Sequence, residues 1–93
     1  MIISFKDKTT QKIFQGKRLK KIPEELQRRI ERKLIQIDSA VVLEDLAVPP
    51  GNRLKTLSGD RAGQHSIRVN DQWRICFIWD DEGVSDVELV DYH

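Results

Sequence analysis

Apolar residues recur at Leu26, Ile30, Leu34 and Ile37, the spacing of one face of an α-helix, and this is the best-marked element of the chain. Pro23 suits a first helical position and Glu24 and Glu25 suit the positive end of the helix dipole, so the spacing predicts a helix over residues 23 to 38. Ahead of it, residues 2 to 5 are β-branched and aromatic and read as a short strand. Asp7 offers an N-cap to a helix over residues 8 to 15, which Gly16 stops, with Ile13 and Phe14 as its buried contacts. After Asp38 the period is lost, and Pro49, Pro50 and Gly51 force an extended stretch and a turn. Residues 39 to 51 read as an irregular loop with room for one short helical turn.

From there the alternation has period two. Strands are expected near residues 53 to 57, 64 to 70, 73 to 79 and 84 to 90, separated by the turn signals SGDRAG, ND and DDEG. Trp73, Ile75, Phe77 and Trp79 share one face, which must be the core face because so much aromatic area cannot be left in water. Ile67 and Val69 should join them, which turns Ser66, Arg68 and Arg74 the other way. A two-residue Asn70–Asp71 turn would set Arg68 against Trp73, whereas an odd-numbered loop or a bulge sets it against Arg74; the second register is expected. Arg68 and Arg74 then lie side by side on the face away from the helices, a like-charge pair that is unfavourable unless an anion sits between them or carboxylates such as Glu88 neutralise each one.

Ninety-three residues make one domain, residues 1 to 93, with one core and no deep pocket. The fold class is α+β: a mainly antiparallel β-sheet with two N-terminal helices packed on one face. The single cysteine, Cys76, excludes an internal disulfide and any zinc cluster, and a reducing compartment follows as the easier reading. No apolar run approaches the roughly 18 residues of a membrane span, and residues 1 to 10 carry charge where a signal peptide would be apolar, so the expected location is cytoplasmic.

The formal net charge of +1 hides a polarity along the chain. Residues 1 to 33 hold eleven Lys/Arg against four Asp/Glu, whereas residues 76 to 93 hold six Asp/Glu and no Lys/Arg. Such asymmetry points to a nucleic-acid or protein partner. For residues 17 to 33 a solvated helix face is an equal reading of the same charges.

The segment from Asn52 to Phe77 concentrates the candidate chemistry: Arg53, Lys55, Arg61, Arg68 and Arg74 stand against Asp60 and Asp71, with His65 among them. A metal-independent ribonuclease needs a group to take the ribose 2′-OH proton, cations to hold the phosphate as charge builds, and an acid for the leaving 5′-oxygen. Arg68 and Arg74 suit the phosphate, since a planar guanidinium binds its oxygens bidentately and stays charged. Lys55, Tyr92 and His93 are candidates for proton transfer, although a C-terminal Tyr is as easily a packing residue. Arg53, Arg61, His65 and Asp91 are candidates for substrate contact or for orienting the others. His65 has the parity of Ile67 and Val69, so its simplest reading is a strand-end His with one nitrogen satisfied by backbone. Cys76 reads as a small buried hydrophobe. The carboxylates show no metal-ligand spacing and no Gly-rich loop leads from a strand into a helix, so neither a metal nor a nucleotide cofactor is expected.

With RLKTLSGDRAGQHSIRVNDQWRICF and the terminal VELVDYH in view, the chain resembles, over essentially its whole length, a HigB-type toxin of the RelE/ParE superfamily. The resemblance implies a ribosome-dependent mRNA endonuclease, acting in the ribosomal A site and held inactive by a HigA-type helix-turn-helix antitoxin, with operator DNA bound only through the antitoxin complex. It places the family's Trp–Arg pair on Trp73 and Arg74, and its terminal Asp-Tyr-His on Asp91, Tyr92 and His93. Relatives carry a His and a Lys on the strand before the Gly-Asp-Arg turn, where this chain has Lys55 and Ser58; Lys55 is then left as a charge stabiliser and Tyr92 or His93 as the proton carrier. The alternative within the superfamily is a ParE-like DNA gyrase poison that binds without cutting RNA, and a plain binding module with no toxicity is the third reading.

Overall fold

In the computed structural model, which describes residues 1–91, two helices precede a four-stranded antiparallel sheet of order β1-β2-β3-β4. The strands are β1 (Lys55–Thr56), β2 (Gln64–Arg68), β3 (Trp73–Asp80) and β4 (Gly83–Asp91). The first helix, α1 (Lys8–Phe14), starts where expected because the Asp7 carboxylate accepts the Thr10 backbone N–H at 2.9 Å and the Thr10 hydroxyl at 2.8 Å. Thr10 is fully buried, and its oxygen also accepts the Leu89 backbone N–H at 3.1 Å, which joins α1 to β4.

The second helix, α2 (Glu24–Ser39), begins one residue later than the spacing suggests. Pro23 is its N-cap rather than its first helical residue, and the Pro23 carbonyl closes the first turn by accepting Gln27 N–H at 3.0 Å. Ile30, Leu34 and Ile37 are fully buried as the period requires, but the fourth buried position is Gln27, and Leu26 is only half-buried. The Gln27 amide accepts from Leu19 N at 2.9 Å and donates to the carbonyls of Leu19 and Ile22, each at 2.6 Å. A buried amide with such partners costs little, and it pins the basic connector across the helix start. The loop that follows holds two 3₁₀ turns, Leu43–Ala47 and Pro50–Asn52, gathered by the fully buried Asn52, whose amide nitrogen reaches the Leu46 carbonyl at 3.1 Å.

Both helices lie on one face of the sheet. Ile13, Ile30, Leu34 and Ile37 meet Ile67, Ile75, Phe77, Val84 and Val87 in one fully buried cluster. Trp73 and Trp79 are half-buried at the two ends of β3, so the expected core face holds in the middle of the strand and opens at its tips. The expected strand at residues 53 to 57 shrinks to two residues, because Arg53 takes a left-handed backbone (φ 46°) that a strand cannot continue through. The expected strand at residues 2 to 5 reduces to two parallel bridges, Ile2 to Val84 and Phe5 to Val87. This segment runs so close to β4 that a Cβ on Gly83 (φ 140°) would meet the Met1 carbonyl oxygen at 2.7 Å and the Ile3 side chain at 2.9 Å.

β4 contains one residue more than β3 requires. Cys76 pairs with Glu88 and Ile78 with Ser85, so Asp86 and Val87 together face the single residue Phe77, and Asp86 takes a positive φ of 51°. The extra residue lets Val84 and Val87, three apart, both reach the core.

Candidate phosphate-binding face

Register decides which candidate side chains share the face away from the helices. Lys55, Ser66, Cys76 and Glu88 form one row across the sheet, and Arg68, Arg74 and Val90 form the next. Arg68 is thus opposite Arg74, the register expected from an odd-numbered loop. The loop is shaped by Asn70, whose side-chain oxygen accepts the backbone N–H groups of Gln72 at 2.9 Å and Trp73 at 2.8 Å.

Arg74 is the centre of this face. Facing away from the helices would leave it in water on the sequence reading alone, yet only 6% of it is exposed. Its Nε donates to the Ser66 hydroxyl at 2.9 Å, and its Nη2 donates to the carbonyl oxygens of Arg53 at 2.6 Å and Ser66 at 3.3 Å. The left-handed turn at Arg53 aims that carbonyl across the top of β1. A guanidinium bonded through both Nε and Nη2 has little freedom to swing away.

Glu88, named above as one way to neutralise the arginine pair, is engaged with other bases. Glu88 accepts from Arg61 Nη1 at 2.7 Å and lies 3.9 Å from Lys6 Nζ. Arg68 instead pairs with Asp71 of its own loop, whose carboxylate is fully exposed. Solvent screens that pair, so it holds Arg68 weakly. Arg61 also donates to the Gln64 side-chain oxygen at 3.0 Å and is therefore committed to structure as much as to any substrate. Beneath these side chains Ser66 and Cys76 are fully buried. Burial pushes the Cys76 thiol up, against the pull of the Arg61, Arg74 and Lys6 charges, so it is an inert floor.

Register separates two other candidates from this group. His65 pairs with Thr56 and Phe77, on the face that carries the helices; its ring centroid is 6.2 Å from that of Phe77, and its Nδ1 is 3.1 Å from the Thr56 hydroxyl. Its partner is a side chain rather than the expected backbone group. Asp91 pairs with Trp73 and accepts from the Gln72 amide at 3.2 Å. Lys55 is exposed at the end of the row that leads to Ser66, and the Arg53 side chain is exposed at its margin. Tyr92 and His93 lie outside the described residues. Sequence reasoning missed Ser66 as the anchor of Arg74 and Glu88 as the anchor of Arg61; the parity of Ser66, Arg74, Cys76 and Glu88 was a signal for the first only once the register was known.

The likeness to known proteins covers the whole face. Residues 3–93 match the model of a family described as the RelE-like toxin of type II toxin-antitoxin system HigB. The chain is 40% identical over 94 residues to Toxin HigB-1 of Vibrio cholerae, an alignment that spans 100% of this chain and 98% of that protein. It is 33% identical over 86 residues to an uncharacterized protein of Haemophilus influenzae, spanning 91% and 85% of the two chains. Among solved structures, a chain of the YoeB-YefM complex from Staphylococcus aureus superposes with a TM-score of 0.63 over 100% of this chain and 98% of that one, at 15% identity, which carries the fold alone. The two-helix, four-strand α+β architecture, the match over residues 3–93 and the full-length identity agree: this chain belongs to the HigB-like family of RelE-like toxins of type II toxin-antitoxin systems.

Proposed function

We propose that the toxin is a metal-independent endoribonuclease that cuts mRNA on the ribosome, and that a HigA-type helix-turn-helix antitoxin restrains it. The observation that supports this reading best is the buried Arg74 guanidinium, fixed by Ser66 and the Arg53 carbonyl beside Arg68 and in reach of the Lys55 row. In this reading the ribose 2′-oxygen attacks phosphorus while its proton passes to a base. The 5′-oxygen leaves with a proton from an acid, and the charge gathering on the non-bridging oxygens is held by Arg74 and Arg68. Tyr92 and His93 are the proton carriers, Lys55 adds positive charge, and Asp91 orients the C-terminal end. Arg53 and Arg61 flank the path of the RNA backbone, and His65 contacts it only at the sheet margin.

A face this open provides no walls to hold a flexible strand in line, so the ribosome supplies the positioning. The match to a family of type II toxin-antitoxin toxins over residues 3–93 supports an antitoxin partner. The test is induction in cells with and without the candidate antitoxin, followed by mapping of mRNA 5′ ends. Codon-phased cuts in translated messages are expected; intact messages with a DNA-damage response would replace the reading with a gyrase poison.

A further inference from the structure

Three bases of α2 take no part in the face just described. Arg29, Arg32 and Lys33 are spaced three and four residues apart, which puts them on one side of the helix, and together with Arg68 they line a cleft of about 400 Å³ at the edge of β2. Among the described residues no carboxylate pairs with any of the three. The other arginines nearby do have such partners: Arg28 pairs with Glu24 at 2.8 Å and Arg18 with Glu31 at 3.5 Å. Among the described residues the three α2 bases meet neutral acceptors only, Arg29 the Val69 carbonyl at 3.5 Å and Lys33 the Asn52 side-chain oxygen, while Arg68 keeps its exposed pair with Asp71. Burial, and then the charges of Arg29 and Arg32, hold the Lys33 ammonium below the usual lysine value. Concentrated like charge of this kind opposes folding until an anion occupies it.

The chemistry of the lining selects among anions. Val69 is the one apolar side chain bordering the cleft, whereas the cores of protein–protein interfaces are apolar and poor in charge. Interfaces with nucleic acid are polar and strongly positive. Arg68 belongs both to this cleft and to the row that holds Arg74, so a chain of phosphates engaged at one continues into the other.

We propose that the Arg29–Arg32–Lys33 cleft binds the phosphodiester backbone of RNA, as a docking surface adjoining the cleavage face. The inference rests on the ribonuclease reading for its purpose, and its test does not require cleavage. Binding of the intact protein to a short RNA hairpin and to a single-stranded RNA oligonucleotide is measured across salt concentrations. An Arg29→Gln/Arg32→Gln variant is compared with a charge-matched Arg18→Gln/Arg28→Gln variant, each checked by a melting curve. The cleft variant should lose about two units from the slope of log affinity against log salt, and the control should lose well under one. A greater loss on the hairpin assigns the cleft to structured RNA, and a greater loss on the oligonucleotide assigns it to the message. Equal slopes for the two variants on both RNAs overturn the proposal, as does loss of binding to polyglutamate with RNA binding unchanged, which would give the cleft to an acidic protein. If the cleft variant behaves as expected while cells expressing the wild type keep their messages intact, the cleft stands and the endonuclease reading falls.

Discussion

Arg74 carries two roles in one side chain, and substitutions separate them. Arg74→Ala leaves the buried Ser66 hydroxyl and the part-buried Arg53 carbonyl without this donor, a loss of about 1–3 kcal/mol, and the melting temperature should drop on the order of 10 °C for a chain this small. Facing alone implies that truncation costs little stability, and the bonds to Ser66 and Arg53 raise that cost. Arg74→Lys keeps the charge but cannot bridge Ser66 and Arg53 at once. It should melt closer to the wild type and still cut ribosome-bound mRNA slowly; wild-type cleavage by Arg74→Lys would remove the guanidinium from the mechanism. For Tyr92, a phenolic proton carrier predicts that Tyr92→Phe lowers single-turnover cleavage by roughly 10² or more with little change in ribosome affinity. Asp45 gives a prediction in pH. Its carboxylate accepts the backbone N–H groups of Val42 and Val41, which lowers its pKa from the usual 3.8. A lowered carboxylate contributes stability above its unfolded pKa and loses it as pH falls through the folded value. The urea midpoints of the wild type and Asp45→Asn should therefore differ at pH 6, and the difference should begin to shrink only as pH falls below 3.8.

At the scale of elements, the periodic parts were legible and the locally satisfied parts were not. Helix α2 declared itself through Ile30, Leu34 and Ile37, and β2 and β3 through Ile67, Ile75 and Phe77, because burying a face imposes a period that can be read from one chain. Gln27, Asn52 and Thr10 are equally buried but polar, and each works by hydrogen bonds to residues that only the folded chain brings near. No pattern marks them beforehand. The site divides in the same way. The Arg68–Arg74 pairing followed from core parity, whereas Glu88 binding Arg61 depended on an extra residue in β4 that alternation alone does not reveal. Gly83 tests whether the N-terminal segment depends on its close approach. Gly83→Ala must displace the Met1 carbonyl and strain a φ of 140°, and a loss of about 1–3 kcal/mol in a urea titration is expected, with the parallel bridge of Ile2 to Val84 weakened.

For the whole molecule, charge is arranged by end. Arg68 and Arg74, beside the loop joining β2 to β3, lie with Arg29, Arg32 and Lys33 of α2 and with Arg53 toward one end, while the turn joining β3 to β4 offers Asp80, Asp81 and Glu82 at the other. A protein of net charge +1 therefore presents a directed field, so its encounter with ribosomes should slow steeply with added salt although its net charge is near zero. Stopped-flow association at two ionic strengths measures this. Purified toxin should cut naked RNA very poorly, and rapid cleavage of protein-free RNA at low enzyme concentration would show that the face positions its substrate unaided.

The extra residue at Asp86 has a consequence for how this chain tolerates change in length. It is surplus to β3 but is counted by the N-terminal segment: Ile2 bridges Val84 and Phe5 bridges Val87, each pair three residues apart, and the Asp86 N–H donates to the Ser4 hydroxyl at 3.0 Å. Deleting Asp86 would leave Ser85 opposite Ile78, Val87 opposite Phe77 and Glu88 opposite Cys76 in unbroken alternation, so Val84 and Val87 stay inward and Glu88 stays against Arg61. What it would lose is the match to the N-terminal segment, which could then keep the bridge at Val84 or the one at Val87 but not both. At this one position the sheet tolerates a shorter chain, and the strain passes to residues 1 to 6.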